Sequence, residues 1–294
     1  CAPLTISSTP VSPTGKGIVD ISKSPSYEDE WREFLPEDVP AAFGAPWFMA
    51  YAAVDRDSFC GILIAEKNEK GTVKSPKVDY TILWVYVKEA LRGNGIGSEL
   101  ISHFVGGSPN AVKFICDVEA SNHVFINMME DCGMTFSDEI ARVDLTAKDM
   151  SENRLFDGEA SNIEGLTFFD DLDPWDLKVY LMWIEEHLLF KHTMDIKDYD
   201  THMSCVIIQN DKPVGFYLIK RYPRGVMEPE FMQTTGGAEM VVKLLRAINV
   251  RAVGYLPPDT RVRLMIKQKQ NVALYDKLFS KFEKVNVRHG EISV

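Results

Sequence analysis

From Phe48 onward the chain sets short apolar runs against polar turns: FMAYAAV, then DRDS, then FCGILIAEK. Run, turn and run together predict a β-hairpin. MSCVIIQ, NDKP and VGFYLIK repeat that design, with Gly215 placed like Gly61, so the same fold is expected twice. VDYTILWVYV is apolar at successive positions, the pattern of a central strand covered on both faces. The period then becomes helical. Leu100, Ile101, Phe104 and Val105 predict a helix over 98–105 whose first turn is the glycine-rich stretch LRGNGIGSELI. AVKFICDVEA alternates as a strand, and Val124, Phe125, Met128 and Cys132 form a helical stripe after it. The second half supplies EMVVKLLRAI as a helix, TRVRLMIK as a strand and NVALYDKLFSKF as a helix, in matching order. Ahead of the first hairpin, YEDEWREFL predicts a short helix.

The polar stretch 149–165 marks the expected division. It gives a flexible leading segment 1–17 of turn-forming composition, a first domain 18–150 and a second 163–294. A chain of 294 residues suits two domains of about 150 each. No apolar run approaches the roughly 20 residues of a membrane helix, so a soluble protein with no membrane partner is expected. The net charge of −11 works against neutralising nucleic-acid phosphates and suits a cationic partner.

Five cysteines without C-x-x-C spacing read as reduced core residues of a cytoplasmic protein. Cys1, opening a Ser/Thr/Pro-rich stretch, also has the form of a tethered lipoprotein; a chain that simply starts at an internal residue is the plainer reading. The six histidines form no i, i+4 pair beside a carboxylate and no Cys/His cluster, so no metal site is expected.

Glycines at alternate positions let backbone N–H groups approach a ligand, and the positive end of the following helix points to the same place. A phosphate is the natural occupant. A P-loop needs Gly-Lys-Ser/Thr, whereas Gly97 is followed by Ser98 and Glu99. A dinucleotide fingerprint needs G-x-G-x-x-G, whereas Gly93, Gly95 and Gly97 are spaced G-x-G-x-G.

WVYVKEALRGNGIGSELI resembles the acetyl-coenzyme A signature of the GNAT N-acetyltransferase superfamily, R/Q-x-x-G-x-G/A after a central strand, filled by Arg92, Gly95 and Gly97. The family's downstream pattern of an Asn, an apolar helix, a Gly and an aromatic residue is similar to Asn122, Gly133 and Phe136. The resemblance implies an α/β protein of two GNAT-like lobes, each a mixed, mostly antiparallel sheet flanked by helices with a splayed central strand pair. It further implies that Arg92, Gly93, Asn94, Gly95, Ile96, Gly97 and Ser98 hold the coenzyme A pyrophosphate. Backbone groups around Val85 and Val87 would pair with the pantetheine, and Asn122 would sit at the thioester end. Acetyl-CoA would serve as co-substrate, without a metal, for transfer to a small-molecule or peptide amine by a monomer or homodimer.

The catalytic residues stay open. The family's usual acid position, seven residues after Asn122, is Met129, and the usual base position, eleven before Arg92, is Thr81. Asp79 and Glu119 are possible substitutes. A non-catalytic acyl-CoA-binding or sensor module therefore stands as the alternative. A tandem-lobe aminoacyl-type transferase is a third reading, which the glycine loop opposes. In the second half Gln233, Gly236 and Ala238 spell Q-x-x-G-x-A, with Asn271 and Tyr275 downstream. Pro223, Gly225 and Pro229 precede that loop, where a buried central strand tolerates them poorly, so a degenerate lobe is expected.

Overall fold

The computed structural model describes residues 16–72, 75–153, 163–187, 199–266 and 272–294. Expectations for residues 1–15, for most of the 149–165 stretch and for Asn271 fall outside them. Contacts divide the chain into two compact units, Cys1–Glu139 with Asn286–Val294, and Ile140–Val285.

The first unit contains β1 (Lys16–Asp20), β2 (Phe48–Asp55), β3 (Ser58–Thr72), β4 (Ser75–Val87) and β5 (Ala111–Glu119). Helix α1 (Glu28–Trp31) runs on as a 3-10 turn, and α2 (Ile96–Gly107) and α3 (His123–Asp131) flank β5 in sequence. The β2–β3 hairpin turns through Arg56 and Asp57 at φ 48° and 65°, the left-handed pair of a tight type I′ turn. Strand order is β1-β2-β3-β4-β5, followed by the chain's last strand, β12 (Lys284–Ser293). All of these pairs are antiparallel except β4 with β5.

Alternation along β4 and β5 decides where the core sits. Val78, Tyr80, Ile82, Phe114, Cys116 and Val118 turn to one face and are buried with Leu100, Ile101 and Phe104 of α2 and Ile126 and Met129 of α3. Tyr80 stacks on Phe114 at 5.3 Å between ring centroids, and Phe104 meets both edge-on. The opposite face carries a second cluster around Trp31, Phe48, Phe59, Ile62 and Ile64. Of the stripe expected on α3, Phe125, Met128 and Cys132 pack against the first of these clusters. Val124 is 84% exposed, and the stripe also takes in Ile126 and Met129, which are buried; Asn122 is the N-cap of the helix.

The second unit repeats the plan with β7 (Leu166–Phe168), β8 (Cys205–Gln209), β9 (Lys212–Arg221), β10 (Met227–Thr234) and β11 (Arg261–Ile266). Its helices are α4 (Ala147–Ser151), α5 (Pro174–His187), α6 (Gly237–Tyr255) and α7 (Val272–Leu278). The β8–β9 hairpin again turns through a left-handed pair, Asn210 and Asp211 at φ 50° and 59°. β10 pairs antiparallel with β9 and parallel with β11, as β4 does with β3 and β5. Beyond β11 comes β6 (Thr135–Thr146), whose residues 141–146 pair with β11.

Three sequence readings change here. The units are not the expected 18–150 and 163–294: residues 140–150 fall in the second unit, and 286–294 return to the first to pair with β5. Lys16 and Gly17, expected in the leading segment, open β1 against Asp55 and Val54. The prolines do not break the approach to the second loop. Pro223 lies in the turn before β10, and Pro229 sits inside β10 beside a bulge, in a strand that among the described residues pairs with β11 only at Met227. A strand with one edge largely unpaired accommodates a missing N–H.

Cys60, Cys116 and Cys205 are buried free thiols, and burial pushes those of Cys116 and Cys205 well above the ordinary range. They are packing residues. Among the described residues no helix is long and apolar enough to cross a membrane.

The paired glycines test the repeat. A Cβ at Gly61 would lie 2.7 Å from the Tyr86 carbonyl oxygen, part of the neighbouring backbone, whereas at Gly215 the nearest atom is Met240 Cγ at 3.1 Å. Backbone cannot yield as a methionine can. Gly61→Ala should cost about 1–3 kcal/mol and Gly215→Ala less than about 1, read from urea midpoints. Equal losses would contradict the assignment.

Candidate functional site

The parallel ladder between β4 and β5 runs only from Val78↔Ala111 to Thr81↔Ile115. Both strands continue, yet past Thr81 they no longer pair: β4 stays with β3 as far as Val87↔Gly61, and β5 stays with β12 as far as Glu119↔Val287. A bulge at Leu83, between Ile64↔Trp84 and Ala65↔Ile82, turns β4 at that point. The two central strands are therefore splayed, and the β5-facing edge of residues 82–87 carries no ladder. Val85 and Val87 lie on this segment, half-buried, opposite Leu63 and Gly61.

β4 leads through a 3-10 turn, Glu89–Leu91, into the glycine loop. Gly93 and Gly95 have φ of 81° and 80°, values that L side chains rarely adopt, and a Cβ on either would meet nothing within 4 Å. The loop faces open space. Gly95 is the N-cap of α2 and supplies no side-chain cap; its carbonyl takes the Glu99 N–H at 2.9 Å. The first N–H groups of a helix have no intrahelical acceptor. Among the described residues the N–H groups of Gly93 through Ser98 meet no protein acceptor, so six donors and the positive helix end converge on one exposed spot. Asn94 closes the loop from within by donating Nδ2 to the Leu91 carbonyl at 3.0 Å.

Other predicted residues are placed less simply. Arg92 is exposed, and its Nε donates to the Val87 carbonyl at 3.2 Å, so that carbonyl is not an open acceptor. Gly97 is buried because α3 packs there: a Cβ would come within 2.8 Å of Met128 Sδ. Ile96 packs at the rim of the core and Ser98 is half-buried. Asn122 caps α3, its Oδ1 accepting from the Phe125 N–H at 3.2 Å, which leaves the Nδ2 donors for other work.

Met129 is 0% exposed in the core and can neither donate a proton nor reach solvent. Thr81 and Asp79 lie on the face opposite α2 and α3, at 9% and 2% exposure, within the paired part of β4. Glu119 is exposed on that face at the end of β5. The sequence reading missed His289 on β12, directly across from Asp117 on β5, with Nδ1 2.9 Å from Asp117 Oδ1. No local signal could have joined them, since 172 residues intervene. Next along the strand, Glu291 would be raised by burial, but Lys113, the Ser293 hydroxyl and His289 hold its carboxyl below the ordinary range.

The corresponding loop of the second unit is filled by its own chain. The Gly236 N–H donates to Thr234 Oγ1 at 2.9 Å, the Thr235 N–H to the Val214 carbonyl at 2.9 Å, and a Cβ at Gly236 would meet Met240 Cβ at 2.9 Å. Gln233 is half-buried and Ala238 exposed. Tyr275 packs against Phe279 in the core, and burial pushes its phenol far above the ordinary value. Among the described residues no group of three or more His, Cys, Asp or Glu side chains could hold a metal ion.

Residues 19–134 match the model of the acetyltransferase (GNAT) family. That segment is similar to GNAT acetyltransferase domains. The match embraces the splayed strands, the glycine loop and α3. No curated relative matches in sequence. Among solved structures, the GCN5-related glucosamine N-acetyltransferase region of a fungal multi-domain GH3 β-N-acetylglucosaminidase is similar over 96% of this chain and 38% of that one, at 10% identity and a TM-score of 0.50. A GCN5-related N-acetyltransferase from Sphaerobacter thermophilus is similar at 16% identity and a TM-score of 0.48, over 91% of this chain and 85% of that one. A tandem GNAT protein from the clavulanic acid biosynthesis pathway is similar at 14% identity and a TM-score of 0.45, over 84% of each chain. The protein is an α/β chain of two GNAT-like lobes, each a mostly antiparallel sheet flanked by helices.

The two loops separate in one experiment. Coenzyme A should raise the melting temperature and bind calorimetrically near one per chain. Gly95→Glu should abolish both effects, Gly95→Asn should retain them because Asn tolerates φ > 0, and Gly236→Glu should leave them intact. Binding lost with Gly236→Glu and kept with Gly95→Glu would move the site to the second unit.

Proposed function

We propose that the protein is an acetyl-CoA-dependent N-acetyltransferase that acts on a primary amine of a small molecule or peptide, with the thioester bound by the first unit. The observation that carries the reading is the pairing of an unladdered strand edge at residues 82–87 with six unclaimed N–H groups at Gly93–Ser98. The first suits an extended amide chain, which would add to β4 as a further strand; the second suits a pyrophosphate. Coenzyme A carries both, joined in that order. Arg92 adds a positive charge at the phosphate end.

The chemistry needs little more than placement. The amine lone pair attacks the thioester carbonyl carbon, the C–S bond breaks, and the acetyl group leaves on nitrogen as an amide. Of the two protons lost by the ammonium acceptor, one goes to a base and one to the departing sulfur. Holding amine and thioester at reacting distance supplies much of the acceleration. Water delivers the second proton, since Met129 occupies the place of an acid.

The same buried Met129 favours a second reading, a sensor that binds acyl-CoA without turnover. Free-thiol release measured against a panel of amines decides between them. The enzyme reading expects release that depends on the amine; binding of acetyl-CoA with no amine-dependent release supports the sensor.

The sheet face opposite α2 and α3 bears Glu66, Asp79, Asp117, Glu119 and Glu291, and the chain's net charge is −11. A cationic acceptor is drawn toward such a field. For the best amine, kcat/KM should fall several-fold as salt rises from about 0.01 M to about 1 M, where the screening length shrinks from about 30 Å to about 3 Å. A flat response would remove steering from the mechanism.

A further inference from the structure

We propose that His289 is the base that takes the proton from the acceptor ammonium, with Asp117 as the residue that positions it. The proposal rests on the acetyltransferase reading above and names the group that reading left open.

Three observations converge. The first is place. Asp117 lies two residues past Ile115, the last β5 position paired with β4, so it stands where the central strands have just parted. Its side chain is on the Thr81 and Ile115 face, away from the packed α2 and α3 core, and His289 is one strand further along that face, a spacing of roughly 5 Å.

The second is orientation. Asp117 Oδ1 lies 2.9 Å from His289 Nδ1, and the His289 backbone N–H donates to Ser137 Oγ at 3.1 Å, so ring and strand are both held. A carboxylate at Nδ1 fixes the proton there and leaves Nε2 with its lone pair. Nε2 has no hydrogen-bond partner among the described residues, and the side chain is 40% exposed while Asp117 is 19% exposed. A half-buried carboxylate therefore steadies an imidazole that stays open to a ligand.

The third is charge. Asp117 contacts His289 and Glu291 lies along its strand, while Glu119 sits opposite Val287 and Glu139 of β6 bonds Asn286, with Lys113 engaged by Glu291. This acidic neighbourhood favours an arriving ammonium.

In the step itself, the ammonium N–H donates its proton to His289 Nε2, giving neutral amine and imidazolium. The amine then attacks the carbonyl carbon, its second proton passes through water to the leaving sulfur, and the imidazolium returns its proton to solvent. No oxidant, reductant or metal enters the balance.

His289→Gln preserves shape and removes the base. With the most active amine it should lower kcat about 100-fold or more while leaving KM for acetyl-CoA and the coenzyme-induced melting shift unchanged. The unchanged protein should show an acid limb in its kcat profile. In the variant that limb should disappear and the rate should climb with pH, as solvent supplies the neutral amine. Asp117→Asn, which leaves the ring untethered, should lose less activity and keep a displaced limb. An unchanged kcat in both variants overturns the proposal alone. If the unchanged protein binds acetyl-CoA but acetylates no amine, the acetyltransferase reading itself falls. Should His289→Gln fail to fold, Asp117→Asn decides: a normal profile there overturns the pairing.

Discussion

Everything in the first unit depends on the hydrogen bonds that β4 and β5 stop making after Thr81 and Ile115. A ladder abandoned in the middle of a sheet leaves backbone donors and acceptors that must find partners elsewhere. Three features keep the strands apart. The bulge at Leu83 bends β4, β3 holds the bent strand as far as Val87, and β12 claims the other edge of β5. The core of Tyr80, Phe104 and Phe114 packs below the parting point and fixes the depth of the opening. Splaying is thus a property of packing on both sides of the gap, and the glycine loop is set at its mouth by the same strand.

The second unit keeps part of this design and differs at the loop. Among the described residues β10 pairs with β11 only at Met227, and a bulge follows Pro229, so the strands part there too. What differs is the loop. Thr234 and Val214 take the N–H groups of Gly236 and Thr235, whose counterparts at Gly95 and Asn94 stay open, and Met240 fills the space above Gly236. A partly self-satisfied loop offers an anion less, because bonds to Thr235 and Gly236 would replace existing ones. In the proposed reading, strand geometry alone does not make a coenzyme site; it needs unclaimed donors beside it.

Much of this was legible locally. Glycines at φ near 80° announce themselves because few other residues adopt that backbone, and an all-apolar strand next to a glycine loop marks its own place in a sheet. Long-range pairing was not legible. Nothing in EKVNVRHGEISV says that it lies against residues 113–119, and so the unit boundaries and the His289–Asp117 contact stayed hidden. Pro229 misled for a related reason: the rule against proline in a central strand assumes that both edges are paired, and here one edge is largely bare. On α3 the apolar pattern found Phe125, Met128 and Cys132 but also took in Val124, which lies in the first turn and is exposed.

The central claim is that the unladdered edge and the glycine-loop amides of the first unit form one coenzyme site. Amide hydrogen exchange with and without coenzyme A tests it most directly, since exchange reports each N–H. The account predicts fast exchange for Gly93 to Ser98 and for the outward-facing amides of residues 82–87 in the free protein. Both groups should slow together when the coenzyme is added, while Thr235 and Gly236 stay unchanged. Slowing at Thr235 and Gly236 instead, or at the glycine loop without the strand edge, would contradict it.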